Sequence, residues 1–277
     1  MINIMDEKKI LIQFNNGYTD IINLISIVKY YSSIYLHTIL IIREDVKDFV
    51  NFFLKNINNV NIIYIKYSDQ KNYHHTAWNE NIDLTYTNKE LINFCKLKNI
   101  NIKEYERKYI GHMDRLLSNI PGKSGPHNSK FQYYSDKLKG NWLKAFYMSS
   151  NIDYSIRYKF FDIDRDYKLE NQKYDDFVKK YGDNYNLCHS NNMDDFENKY
   201  NAVELSGKSI IFFDYIKILI NSKNMYLTDS SWACFIYLLD MKYGLFKDIN
   251  IFYYPLKWKI TFFVNEPLLN NWKIIGK

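Results

Sequence analysis

Between Lys9 and Ile65 the chain alternates short apolar runs with amphipathic stretches, and this alternation leaves few folds open to it. Lys9-Ile-Leu-Ile-Gln-Phe14 is an apolar run of strand length, ended by Asn15-Asn16-Gly17. From Thr19 the spacing turns helical, with Ile22, Ile25, Val28 and Tyr31 or Ile34 on one face. His37-Thr-Ile-Leu-Ile-Ile42 is a second strand, 46–55 a second helix with Phe49, Val50 and Phe53 inward, and Val60–Ile65 a third strand. Short β-rich runs joined by amphipathic helices predict a parallel sheet with right-handed crossovers. The chain opens as the first half of a Rossmann-type domain.

Signals are weaker across 68–140. Residues 68–87 are polar and aromatic, with His74, His75 and Trp78, and are expected to form a loop. Residues 89–97 are expected to be helical, 117–129 a loop holding two of the four prolines, and 141–150 an apolar helix. The alternation then restarts with helix 170–181 closed by Gly182, strand 185–189, helix 212–221, strand 225–228, helix 229–242 and strand 249–253. The chain is therefore expected to be α/β, with two Rossmann-like domains, 1–150 and 151–277, facing across a cleft. Residues 267–275 are expected to form a terminal helix returning to the first domain.

Composition narrows the partners. The chain has 277 residues, enough to bury a full core without staples. Its 37 Lys and Arg against 31 Asp and Glu give a net charge of +6, but the basic residues are interleaved with acidic ones. A nucleic-acid binder concentrates them on one face to meet several phosphates, so no nucleic-acid partner is expected. Cys95, Cys188 and Cys234 are far apart, with no metal-ligand spacing and no disulfide pattern. No apolar run approaches the ~18 residues of a membrane span, and the start lacks the apolar core of a signal peptide. A cytoplasmic protein with reduced thiols is expected. Because the chain carries 26 Tyr and 18 Phe, a lone aromatic residue has little weight as a functional signal.

Ligands of open α/β sheets bind at the carboxyl ends of the strands, and three such ends carry polar residues. The first is 15–20, where Gly17 stands alone, so the GxGxxG of NAD or FAD sites is missing. Asp20 there is a helix cap, the commoner role of Asp at such a position, or a general base. The second is Cys188-His189-Ser190-Asn191, where imidazole and hydroxyl are either satisfied structural groups or donors to a phosphate. The third, Thr228-Asp229-Ser230-Ser231, opens a helix and is either a plain N-cap or an anion site built on the helix terminus. Nearby, in Glu204-Leu-Ser-Gly-Lys-Ser209, Gly207 and Lys208 form a phosphate contact or a solvated turn. Gly122-Lys123-Ser124 lacks the earlier P-loop glycine, since Leu117 stands in its place. Asp162-Ile163-Asp164 fits the short DxD pattern of metal-dependent sugar transferases, and no GxSxG, HExxH or CxxC is present.

Together these residues resemble a family. Lys9–Phe14, then Gly17, Asp20 and a long helix, are similar to the opening of two-domain (GT-B fold) glycosyltransferases, especially the ADP-heptose transferase group. Phe146-Tyr147, Asp153-Tyr-Ser-Ile-Arg157, Phe161, Arg165-Asp166, Glu170 and then 185–189 look like the linker and second-domain start of related bacterial and viral transferases. Tyr226-Leu-Thr-Asp-Ser-Ser231 is similar to their donor-diphosphate segment. Two departures stand out: Tyr18 and Thr19 separate a Gly and Asp that are adjacent in that group, and Asp229-Ser230-Ser231 replaces a Gly-rich segment. The resemblance implies a nucleotide-sugar-dependent glycosyltransferase that is metal-independent and inverting, uses no cofactor, and takes a glycan or other hydroxyl acceptor. It makes Asp20 the catalytic base. It gives the donor to His189, Ser190, Asp229, Ser230 and Ser231, with Arg157 and Lys208 neutralising the leaving diphosphate, and sets Trp78 to stack on the acceptor. Two alternatives stay open: a metal-dependent transferase using Asp162 and Asp164, and a non-catalytic nucleotide- or glycan-binding protein of the same fold.

Overall fold

Three apolar runs near the start of the chain pair side by side as parallel strands, β1 (Lys9–Phe14), β2 (His37–Arg43) and β3 (Val60–Ile65). A computed structural model of the chain describes residues 8–14, 18–65, 96–97, 99, 101, 104–110, 133–134, 137–138, 141–190, 196–205, 212–255 and 267–275. The chain divides into two compact units, Met1–Phe160 and Phe161–Lys277.

In the first unit β4 (Tyr105–Ile110) joins the other side of β1, giving the parallel order β3-β2-β1-β4. Ile10, Leu11, Ile12 and Ile39 to Ile42 are all buried, as strands covered on both faces require. β4 is more polar: Glu104 pairs with Lys9 on β1, and Glu106 pairs with its own neighbour Lys108. Helix α1 (Tyr18–Ile34) is buried on more than the one face its spacing predicts, because Ile21, Leu24 and Ile27 are covered as well as Ile22, Ile25 and Val28. A helix apolar nearly all round belongs inside a fold. α2 (Lys47–Leu54) buries Phe49, Val50, Phe53 and Leu54. Further along the chain come α3 (Trp142–Ser149), capped by the Asn141 side chain on the Lys144 N–H, and the single turn α4 (Ile156–Lys159). α4 packs on α1, and 151–160 lies in the first unit.

The second unit begins with α5 (Tyr167–Tyr181), capped by Asp166 on the Leu169 N–H and ended by Gly182 at φ +81°. Its sheet uses β5 (Asn186–His189), β6 (Ala202–Glu204), β7 (Asn224–Thr228), β8 (Asn250–Tyr254) and β9 (Trp272–Ile274), in the order β6-β5-β7-β8-β9, parallel throughout. The expected terminal helix over 267–275 is thus corrected. Trp272–Ile274 is an edge strand, held by Ile251 N–H to Asn271 O and Ile275 N–H to Tyr253 O, with Trp272 buried in the core. Short helices α6 (Phe196–Tyr200) and α7 (Ile216–Ile220) precede the long α8 (Ser231–Tyr243). All nine residues from Trp232 to Asp240 in α8 are buried.

Register divides this sheet into two unlike faces. Leu187, Met225, Ile251 and Trp272 are aligned and buried. One residue earlier on the opposite face, Asn224 donates to Asn186 Oδ1 at 3.0 Å and Asn250 to Asn224 Oδ1 at 3.4 Å, while Lys273, the residue after Trp272, donates from Nζ to Asn250 Oδ1 at 3.0 Å. Above that row, Tyr226 lies between Tyr200 (ring centroids 3.9 Å apart, planes within 2°) and Phe252 (5.1 Å, 10°). On this face α6 sets Phe196 against Tyr254 and Tyr200 against Tyr226, beside the amide row.

Among the described residues no helix is long and apolar enough to cross a membrane.

Candidate functional site at the switch point of the second sheet

Strand order locates the site. From β5 the chain turns to β6 on one side, then crosses to β7 on the other. Where order reverses in this way, the loops leaving the two central strands diverge and open a crevice at their carboxyl ends. The two exits are His189–Ser190 and Thr228-Asp229-Ser230-Ser231, so the sequence-predicted residues on β5 and β7 meet at one end of one sheet. The Thr228 hydroxyl ties the two exits together by donating to His189 O at 3.4 Å.

Ser230 has extended backbone (φ −161°, ψ 169°), and its Oγ accepts from Ala233 N–H at 3.2 Å. It is therefore an N-cap, and its hydroxyl proton can still be donated. The first N–H groups of α8 have no intrahelical acceptors and carry the positive end of the dipole. Thr228, Asp229 and Ser230 are buried, and Ser231 is half-buried. Asp229 brings a carboxylate to the same end. Among the predicted donor residues it is the least suited to a phosphate and the best suited to accept from a hydroxyl.

His189 is held by two acceptors. Its Nδ1 lies 2.9 Å from Glu204 Oε1 and 2.8 Å from Leu205 O, both of which can only accept from it, so Nδ1 carries a proton. The Glu204 carboxylate also accepts from Ser190 N–H at 3.3 Å and from the Cys188 thiol at 3.2 Å. Sequence reasoning treats Glu204 only as the start of a turn. The one available signal was an acid closing a short stretch after a helix, and its partner becomes visible only once β6 pairs with β5.

Arg157 lies in the core. It is 1% exposed in the first unit, with Nε and Nη2 donating to Asn23 Oδ1 at 3.1 and 2.6 Å, and Nη1 to the Tyr154 and Tyr158 hydroxyls at 2.7 and 3.0 Å. Ser26 on α1 donates to the Arg157 carbonyl, and Tyr147 on α3 to the Asn23 carbonyl. The guanidinium is a core strut joining α1 to α4. Asp20 lies in the first turn of α1, with its side chain outside what is described. Lys208, Trp78, His74, His75, Asn191, Gly122 to Ser124 and Cys95 lie outside the described residues.

Asp162 and Asp164 are exposed in the irregular stretch before α5, and the Ile163 N–H between them donates to the Tyr243 hydroxyl at 3.3 Å. Among the described residues no three His, Cys, Asp or Glu side chains converge as a metal-ligand group. Arg165 grips Glu170 through both carboxylate oxygens, and that bond holds the guanidinium above its ordinary pKa. Cys188 and Cys234 are buried thiols.

No protein-family model and no curated protein matches the chain. Among solved structures it is similar to the crystal structure of the glycosyl transferase family 9 from Veillonella parvula DSM 2008. The TM-score is 0.54 at 10% identity, over 98% of this chain and 87% of the other. The likeness establishes a shared fold.

Proposed function

We propose that this chain, which shares the fold of a glycosyl transferase family 9 structure over 98% of its length, is a glycosyltransferase that moves a sugar from a nucleotide-sugar to an acceptor hydroxyl, without a metal ion and with inversion. The observation that carries this reading is the meeting of His189, Ser190 and Thr228 to Ser231 at the switch point of a sheet in that fold. The donor's diphosphate lies at the N-terminus of α8, taking bonds from backbone N–H groups and the Ser230 and Ser231 hydroxyls. His189, Ser190 and Lys208 stabilise the charge that grows on the leaving diphosphate. Asp229 accepts from a donor hydroxyl. Asp20 removes the acceptor's proton as its oxygen bonds to the anomeric carbon. The bond from that carbon to the phosphate oxygen breaks with its electrons going to the diphosphate. One such displacement inverts the centre. Trp78 stacks on the acceptor sugar.

The test is a thermal-shift panel of ADP, UDP, GDP, CMP and their sugars, each with Mg²⁺ and with EDTA. The resemblance to the ADP-heptose transferase group puts the ADP compounds first. A ligand at a hundredfold excess over its Kd stabilises by about 2.7 kcal/mol, which such a scan resolves. Stabilisation by one nucleoside diphosphate, equal in both conditions, supports the metal-free donor site. A shift that disappears with EDTA favours the Asp162 and Asp164 reading, and no shift at all refutes the site. With the donor known, Asp20→Asn is expected to slow transfer by roughly 10²–10⁴-fold at unchanged nucleotide affinity. Joint loss of both makes Asp20 a cap.

A further inference from the structure

We propose that Glu204 is the positioning residue of His189, holding its Nδ1–H from behind so that a doubly protonated ring presents Nε2–H to the diphosphate of a bound nucleotide. The inference deepens the donor-site reading and rests on it.

Three donors from three successive residues converge on one carboxylate: the Cys188 thiol, His189 Nδ1 and Ser190 N–H. Strand pairing sets Cys188 opposite Glu204, so the carboxylate is delivered to this end of the sheet by backbone register rather than by a flexible tail. With Glu204 and Leu205 O both accepting, Nδ1 is committed as a donor and Nε2 is the ring atom left to meet a ligand. In a neutral ring that atom carries a lone pair, which repels a phosphate oxygen. Only the imidazolium donates from both nitrogens. Its positive charge is balanced behind the ring by the Glu204 carboxylate, which lies at hydrogen-bond distance from Nδ1. Among the described residues, the Cys188 thiol on its own strand and Glu204 on β6 meet at this end of the sheet, and Asp229 follows the Thr228 that bonds His189 O from β7. All of them are neutral or negative. The phosphate is thereby met by a cation that the sheet itself neutralises, which lets a diphosphate be held at this end beside two carboxylates.

The experiment uses the full chain labelled with ¹⁵N-histidine and inorganic pyrophosphate as the probe. Long-range ¹⁵N–¹H correlation reads the protonation of each ring nitrogen, with His189 assigned from the signals lost in His189→Gln. Expected are a protonated Nδ1 in the free protein and protons on both nitrogens with pyrophosphate bound. Glu204→Gln is expected to bind pyrophosphate about tenfold more weakly, the gap between a charged and a neutral hydrogen bond, with the second ring proton lost. Glu204→Asp, which keeps the charge on a shorter arm, is expected to retain that proton and to lose less affinity. The double variant H189Q/E204Q is expected to bind no more weakly than H189Q alone, because the two residues act as one unit.

An unprotonated Nε2 in the complex, wild-type affinity in E204Q, or losses that add in the double variant overturns the proposal. Circular dichroism checks that E204Q folds. If it does not, the wild-type and E204D spectra decide the question by the presence or absence of the second ring proton. Absence of any pyrophosphate or nucleoside diphosphate binding by the wild type brings down the donor-site reading and the proposal together, whereas tight binding to a neutral ring sinks the proposal alone.

Discussion

Replacing Asp240 with alanine removes one carboxylate and strands two buried donors. Asp240 sits on α8, 6% exposed, and its Oδ1 accepts from Phe246 N–H at 3.1 Å. Its Oδ2 accepts from Trp272 Nε1 at 3.1 Å and from Asn271 Nδ2 at 3.0 Å. Phe246 and Trp272 are 0% and 2% exposed, so water cannot take over either bond, whereas Asn271 is half-buried and still donates to Phe246 O. A stranded buried donor costs about 1–3 kcal/mol, which for two gives roughly 2–6 kcal/mol. Relief of the carboxylate's own desolvation offsets part of this, leaving an expected loss of about 3 kcal/mol. For a unit of this size that lowers Tm by about 10 °C. Asp240→Asn keeps one acceptor but sets an amide N–H against a donor, so about half the loss is expected. Differential scanning calorimetry of both variants, with the urea midpoint as a second probe, measures the effect. An Asp240→Ala protein within ~0.5 kcal/mol of wild type would refute the reasoning, because it would mean that β9 does not depend on this carboxylate.

Arg157→Met is expected to destabilise the first unit by about 3–5 kcal/mol, since it removes a buried guanidinium from four hydrogen bonds. A folded Arg157→Met protein with weakened nucleotide binding would return the residue to the donor site. Ser230→Ala removes the cap of α8 and is expected to cost about 1 kcal/mol by thermal denaturation, together with some nucleotide affinity. Unchanged affinity would confine Ser230 to capping. Burial raises the Asp214 carboxyl above its ordinary pKa, with Asp166 and Glu170 adding to the rise and Lys173 opposing it. The fold therefore favours the protonated form. This contribution to stability is complete below the unfolded carboxylate value and is lost as pH rises through the raised one. Asp214→Asn is expected to raise Tm modestly at pH 7, by under ~1 kcal/mol because the group is partly solvated, and to leave it unchanged near pH 3. A lower Tm at pH 7 contradicts this.

Strands that carry their own apolar signal were legible. β1 and β3 fall on the residues that the alternation marks, and β7 differs only by Asn224 at its start. β4, β6 and β9 were not legible. β4 places Glu106, Arg107 and Lys108 in its middle, while β6 and β9 have three residues each, so their pairing is a long-range property of the strands beside them. The same division runs through the site. His189 and Thr228 to Ser231 were visible as polar residues at strand exits, but only the order β6-β5-β7 brings the two exits together. Glu204 becomes relevant through that order alone. The burial of Arg157 was not legible, because a charged residue in a linker-like stretch looks solvent-facing, whereas Asn23 on α1 and the Tyr154 and Tyr158 hydroxyls take it into the core.

The amide row Asn186, Asn224 and Asn250 constrains how this protein can change. A one-residue slip of β5, β7 or β8 would turn its asparagine into the apolar layer and strand its amide there, so the row acts as an alignment gauge for the three central strands. It works at the amino ends of the strands, whereas Ser190 and Thr228 to Ser231 leave from the carboxyl ends. Substitutions among the exit residues can therefore change that end of the sheet while the strands stay in step. The gauge residues, at the other end of the same strands, have no such freedom.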